Sequence, residues 1–265
     1  MILFCISAAG ANPFMSWSAS LRKDIKLCIL DLPGRGSKRS EKPVENMDEL
    51  CRILISDMDK ENPANDSFMI LGYCFGAVIA YEICKKLQAE NKPLPGAFLT
   101  FGSGAPDSLR IPEKELTETE EFRGMVAQFF NSGSLGSDEA AEKAVSAYAS
   151  AYKKETPVSF ASVFPDGNED EDFEQMQLLF LLNGAMEQIS QDHRMLKAYH
   201  DAAHGHEVIK TCAVVFYSPQ DRFAAEKDVL GWERYFQSSD KKSVTGGHYA
   251  IMSEKKFFIE IINGL

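Results

Sequence analysis

Three residues of this 265-residue chain have the types and settings that acyl-transfer chemistry needs: Cys74, Asp221 and His248. Cys74 stands in Leu71-Gly72-Tyr73-Cys74-Phe75-Gly76-Ala77, a G-x-C-x-G segment. The apolar run Ser67 to Leu71 (SFMIL) before it reads as a buried strand, and Ala77 to Leu87 (AVIAYEICKKL) after it reads as a helix. A strand that turns sharply into a helix exposes the residue at the bend on the edge of the sheet, and the flanking glycines let the backbone pass close to itself there. A thiol attacks as thiolate, so it needs a base, and the base needs an acid to orient it. Asp221 follows the apolar run Cys212 to Tyr217 (CAVVFY), in Ser218-Pro219-Gln220-Asp221. His248 follows a short strand expected over 242–245, in Thr245-Gly246-Gly247-His248-Tyr249. The order nucleophile, acid, histidine, each just after a strand, fits a site at the C-terminal edge of a parallel sheet. The oxyanion of acyl transfer needs N–H donors. One is expected from Phe75, next to the nucleophile at a helix N-terminus. The second is expected from Ala9, in the loop of small residues Ser7-Ala8-Ala9-Gly10-Ala11 after the first strand.

Positioning these residues requires alternating strands and helices. Strands are expected at 1–6, 25–30, 67–71, 97–101, 212–217 and 242–245, and helices at 14–21, 47–58, 77–88, 226–236 and 254–262. Such alternation implies a mostly parallel sheet covered on both faces. The stretch 106–190 breaks it, with helical spacing at 122–130, 140–152 and 173–182 and no clear strand. It reads as a helical insertion that forms a lid, with residues 1–105 and 191–265 forming the core.

Composition narrows the function. Hydrophobic content of 45% and charged content of 25% suit a globular protein that buries a sizeable core. The net charge of −11 argues against nucleic acid as a partner. No apolar run reaches membrane-spanning length, and the opening MILFCIS has no basic leader, so it reads as a first strand and the expected location is cytoplasmic. Of the six cysteines, five sit in apolar runs without CxxC spacing and read as small buried hydrophobes in a reducing compartment. His204-Gly205-His206 is the nearest approach to a metal motif, and two histidines at loop spacing read as solvated loop; no metal and no bound cofactor are expected.

Taken together, the motifs resemble the type II, or editing, thioesterases of polyketide and nonribosomal peptide pathways. The likeness is carried by Asp31-Leu32-Pro33-Gly34-Arg35-Gly36 (the family's L-P-G-R-G), the elbow with Tyr81-Glu82 in its helix, Trp232, and Gly246-Gly247-His248-Tyr249. Asp192 stands near a family aspartate on the helix before the late strand. Two departures are evident: Cys74 replaces the usual serine, and Ser7 to Ala11 lacks the histidine and one glycine of the family's Pro-His-Ala-Gly-Gly. The resemblance implies an α/β-hydrolase fold with a helical lid and a Cys74-His248-Asp221 triad. It also implies a monomer whose substrate is a thioester on the phosphopantetheine arm of an acyl or peptidyl carrier protein. Arg35, Lys38, Arg39 and Lys42 are candidates for a basic docking patch on an otherwise acidic chain. Two alternatives stay open. One is an acyltransferase or cyclase passing the acyl group to an amine or thiol. The other is a lactone hydrolase similar to dienelactone hydrolases, whose elbow also reads G-Y-C-x-G but which lack L-P-G-R-G and the long insertion.

Overall fold

The apolar runs become the strands of one sheet. The computed structural model describes residues 1–7, 13–109, 138–154, 158–165, 173–202 and 206–265. Six strands, β1 (Ile2–Ser7), β2 (Lys26–Ile29), β3 (Phe68–Tyr73), β4 (Ala97–Phe101), β5 (Ile209–Tyr217) and β6 (Phe236–Ser243), lie in the order β2-β1-β3-β4-β5-β6. All five pairings are parallel. Parallel strands covered on both faces are continuously apolar, and every residue of β3 and β4 is buried. Side chains still alternate between the faces. Phe4, Ile70, Phe98 and Val215 enter one core with helices α1 (Met47–Glu61) and α2 (Phe75–Ala89). Leu3, Leu71, Leu99 and Phe216 enter the other, with Trp17 and with Phe258 of the C-terminal helix (Lys255–Gly264).

Because all strands run the same way, their C-terminal ends share one edge. The chain order also reverses between β1 and β3, since β2 lies outside β1 and every later strand lies on the other side. Such a switch point leaves a crevice at the strand ends, the usual place for a ligand in an open α/β sheet. The elbow emerges from β3 there.

Three expected elements differ. The segment 14–21 is a pair of turns, closed by Trp17 N–H to Phe14 O (2.9 Å) and Ser20 N–H to Trp17 O (2.8 Å). Phe14 and Trp17 are buried anchors with rings 5.2 Å apart, and that anchoring supplied the helical spacing. The helix expected over 226–236 stops at Leu230, and after a 3-10 stretch β6 begins at Phe236 rather than at 242. β6 is an edge strand of sequence FQSSDKKS whose only buried residue is Phe236, so it has no apolar alternation to read. Its exposed lysines suit an edge that must not pair with another chain.

The chain divides into two compact units, Met1–Arg110 with Arg194–Leu265, and Ile111–His193. The second unit contains α3 (Asp138–Lys154), α4 (Phe160–Val163) and most of the long helix α5 (Phe173–Asp201). It has its own apolar core, including Val145, Tyr148, Phe160, Leu179 and Leu182. The helix expected at 122–130 lies outside the described residues. Among those described, no helix is long and apolar enough to cross a membrane.

Candidate active site

The elbow is built by backbone crowding. A Cβ on Gly72 would lie 2.3 Å from the Cα of Ala77, and one on Gly76 would lie 2.3 Å from the carbonyl oxygen of Ile6. Only glycine lets α2 start this close to β3 and β1. Cys74 takes the bend at φ 54°, ψ −135°. Among the described residues the other non-glycine positive-φ positions are Asn65 and Asn91. Asparagine adopts that region readily and cysteine does not, so strain of about 1–3 kcal/mol is concentrated at Cys74. It is held there by its N–H donating to Phe101 O (2.9 Å) and its carbonyl accepting from Ala77 N–H (2.9 Å). The thiol remains partly exposed.

The other cysteines differ. Burial pushes the Cys28 thiol up to about 11 and Cys51 up to about 12, and raises Cys5 and Cys84 as well. These four are packing residues. Cys212 is exposed on β5, contrary to its reading as a buried hydrophobe.

Asp221 and His248 are brought together by two loops that bond to each other. The Ser218 hydroxyl accepts from Gly247 N–H (3.2 Å) and Gln220 N–H (3.3 Å) and donates to Gln220 Oε1 (2.9 Å). The Asp221 carboxylate, 2% exposed, accepts from Phe223 N–H (2.8 Å) and Ala224 N–H (3.0 Å). These donors hold the carboxylate out of water without leaving it unsatisfied. Its oxygens lie 3.0 and 3.2 Å from His248 Nδ1, which donates to them. That bond fixes the tautomer and leaves Nε2 free of Asp221, and Cys74 is near enough to act on the imidazole. Burial alone would lower the imidazole. The hydrogen bonds and charges of Asp221 and Cys74 outweigh it and push the ring up to about 10.

Asp221 and His248 are hydrogen-bonded, and Cys74 lies at the elbow close enough to influence the ring. Phe75 opens α2 beside the thiol, and Ala9 lies outside the described residues. Asp192, half-buried on α5, is not the acid that bonds His248. The basic patch is smaller than the sequence implied: Arg35 is 5% exposed and Lys38 pairs with Asp57, leaving Arg39 and Lys42 in solvent. His206 uses Nε2 to bond the carbonyl of Arg234 (2.7 Å), and His204 lies outside the described residues.

Several contributors were not singled out from the sequence. Tyr73 donates its hydroxyl to the carbonyl of His248 (3.1 Å). Phe223 packs its ring 4.7 Å from the imidazole. Gly102, at φ +70°, would place a Cβ 3.0 Å from His248 Cε1. The adjacency of Tyr73 to Cys74, and of Phe223 to Asp221, was the available signal.

Comparison with known proteins bears on the family and the fold. The family model described as a thioesterase domain matches residues 1–264. The gramicidin S biosynthesis protein GrsT of Aneurinibacillus migulanus is 31% identical over 106 residues, 39% of this chain and 41% of that protein. The chain thus matches about two-fifths of that relative's length. Among solved structures, the RedJ thioesterase of the prodiginine pathway in Streptomyces coelicolor superposes with a TM-score of 0.70 at 18% identity, covering 99% of this chain and 84% of that one. ClbQ of the colibactin NRPS/PKS pathway gives a TM-score of 0.68 at 16% identity, with 99% and 95% covered. At these identities the structural likeness speaks for the fold, which is that of the α/β-hydrolase-like thioesterases.

Proposed function

The chain belongs to the thioesterase-domain family, and from that premise we propose that it releases acyl groups from the phosphopantetheine arm of an acyl or peptidyl carrier protein through an acyl-cysteine intermediate. The observation that carries this reading is the strained, partly exposed Cys74 at the elbow, together with a histidine whose Nδ1 is held by a buried carboxylate. In the first half-reaction the Cys74 proton passes to His248 Nε2 and the sulfur attacks the thioester carbonyl. The oxyanion is received by the Phe75 N–H, with the Ala9 N–H as the second donor; one such donor is worth about 3 kcal/mol of transition-state stabilisation. Collapse breaks the bond to the pantetheine sulfur, which takes the proton from His248. In the second half-reaction His248 removes a proton from water, the hydroxide attacks acyl-Cys74, and collapse returns the proton to the thiolate. Asp221 keeps the ring in the tautomer that serves both steps. No bound cofactor takes part. The helical insertion keeps its reading as a lid, and the carrier protein its reading as partner, with exposed Arg39 and Lys42 left of the basic patch.

A second reading rests on the nucleophile itself. An acyl-cysteine is a thioester, so transfer onto it from pantetheine is close to isoenergetic, and it remains a better donor to amines and thiols than an acyl-serine.

Intact-protein mass spectrometry after mixing with acyl-loaded carrier protein tests both. The wild type is expected to carry a transient acyl adduct on Cys74 that clears in water. Cys74→Ala is expected to carry none and to lose at least about 10^3-fold in kcat/KM with its melting temperature unchanged. An adduct that clears only when an amine or thiol is added selects the transferase reading. Full turnover by Cys74→Ala would overturn both.

A further inference from the structure

His248 sits inside an enclosure of aromatic rings. Phe223 lies 4.7 Å from it at 44°, Tyr73 5.4 Å at 39°, and Tyr249 5.6 Å edge-on at 87°. Each is fixed by something other than the histidine. Phe223 is held by its N–H to Asp221 (2.8 Å). Tyr73 stacks on Phe101 at 6.0 Å and 12°. Phe223 and Tyr249 also meet each other at 6.3 Å. Gly102 closes a further side, where a methyl group would lie 3.0 Å from Cε1 and the ring would have to give way. The imidazole is left 9% exposed.

This is more packing than orientation of a histidine requires, since Asp221 and the Tyr73 hydroxyl already fix the ring and its backbone. Aromatic rings attract a cation within about 6 Å, and more strongly where water is excluded. A neutral imidazole gains only the ordinary aromatic pairing from them. With a serine nucleophile an imidazolium exists only in passing. With a thiol, proton transfer to the histidine at rest leaves the nucleophile already formed. We propose that Tyr73, Phe223 and Tyr249 tune the site for cysteine, stabilising the imidazolium of His248 and so holding Cys74 as thiolate in the resting protein.

The proposal rests on the triad reading above. Among the described residues, the titratable groups facing His248 are Asp221 from the loop after β5, Cys74 from the elbow, Tyr73 from β3 and Tyr249 beside it. Burial, and next the charge of Cys74, keep both tyrosine hydroxyls protonated above their ordinary range, so the rings stay neutral. The signs follow. Removing a ring favours the neutral thiol–imidazole pair. The acid limb of thiolate reactivity then moves to higher pH, and the imidazolium is lost at lower pH, so the window narrows from both sides.

The test measures alkylation of Cys74 by iodoacetamide from pH 5 to 9, read by peptide mass spectrometry, with exposed Cys212 as internal reference. His248 is titrated by NMR in the same proteins. Phe223, 46% exposed, tolerates change. Phe223→Leu is expected to slow alkylation at pH 6 about 3-fold and lower the His248 midpoint. Adding Tyr249→Leu is expected to bring the loss to about 10-fold, and Phe223→Trp to keep the wild-type profile. Cys212 should not move. Folded Phe223→Leu and double variants with the wild-type profile would overturn the proposal while leaving the triad intact, provided His248→Asn still shifts the profile. If His248→Asn leaves it unchanged, the triad reading falls and the enclosure with it.

Discussion

The two compact units solve different problems by different means. In the unit that contains Cys74, geometry is imposed by backbone against backbone: at Gly72 and Gly76 an added methyl would meet main-chain atoms 2.3 Å away. In the helical unit Ile111–His193, described order comes from side chains, an apolar cluster around Tyr148 and Leu182 and one polar staple. That staple is Asn183, which accepts from the Tyr148 hydroxyl (2.8 Å) and Val158 N–H (3.2 Å) and donates to Val158 O (3.0 Å). Chemistry tolerates misplacement of only a fraction of an ångström. The chain places Cys74 where steric exclusion leaves the backbone one path, and leaves the helical unit to packing, which accommodates change.

The largest expected break in that comparison is Gly76→Ala. The new methyl can be housed only by parting α2 from β1, where the clash is with a carbonyl rather than a flexible side chain. A loss of at least about 3 kcal/mol in denaturant unfolding is expected, together with loss of Cys74 alkylation. A loss below about 1 kcal/mol would show that the backbone has slack and that the contrast between the units is false. A smaller effect is expected from Asn183→Ala. It removes the partner of the Val158 N–H and C=O and one hydrogen bond of the Tyr148 hydroxyl, at a cost of about 1–3 kcal/mol. Hydrogen exchange should locate that loss in the helical unit, with the alkylation rate of Cys74 unchanged. An equal loss of protection in β3 and α2 would mean that the units do not respond separately.

The same contrast explains what was legible in the sequence. β1, β3 and β4 are buried on both faces, so they stand out as apolar runs, and the turn chemistry at the elbow marks where β3 ends. Cys74 and Asp221 stood out because each comes just after an apolar strand, β3 and β5, whereas His248 stood out through its Gly246-Gly247 setting. β6 escaped because an exposed edge strand buries almost nothing, and 14–21 was misread because anchored turns can mimic helical spacing. Arg35 and Lys38 looked like surface charge, since burial of an arginine and pairing of Lys38 with Asp57 on α1 are long-range facts. The rings around His248 come from β3 and from two loops far apart in the chain. Only folding brings Tyr73 and Phe223 to one imidazole.

The smallest expected effect sharpens the comparison most, because it repeats the same chemical change with the opposite sign. Gly184 lies exposed within helix α5, and a methyl added there would meet nothing within 4 Å. Glycine in a helix interior is less favourable than alanine by about 0.8–1 kcal/mol, partly because its unfolded chain has more conformations to lose. Gly184→Ala should therefore stabilise the helical unit by about 0.5–1 kcal/mol, slowing amide exchange around residue 184 about 3-fold. At Gly76 the methyl group adds the same helical preference, and the carbonyl of Ile6 overrides it. If Gly184→Ala is neutral or destabilising, helix α5 is held by something other than its own propensity and packing. The insertion would then be as constrained as the elbow, and the division of labour between backbone and side chain would not hold.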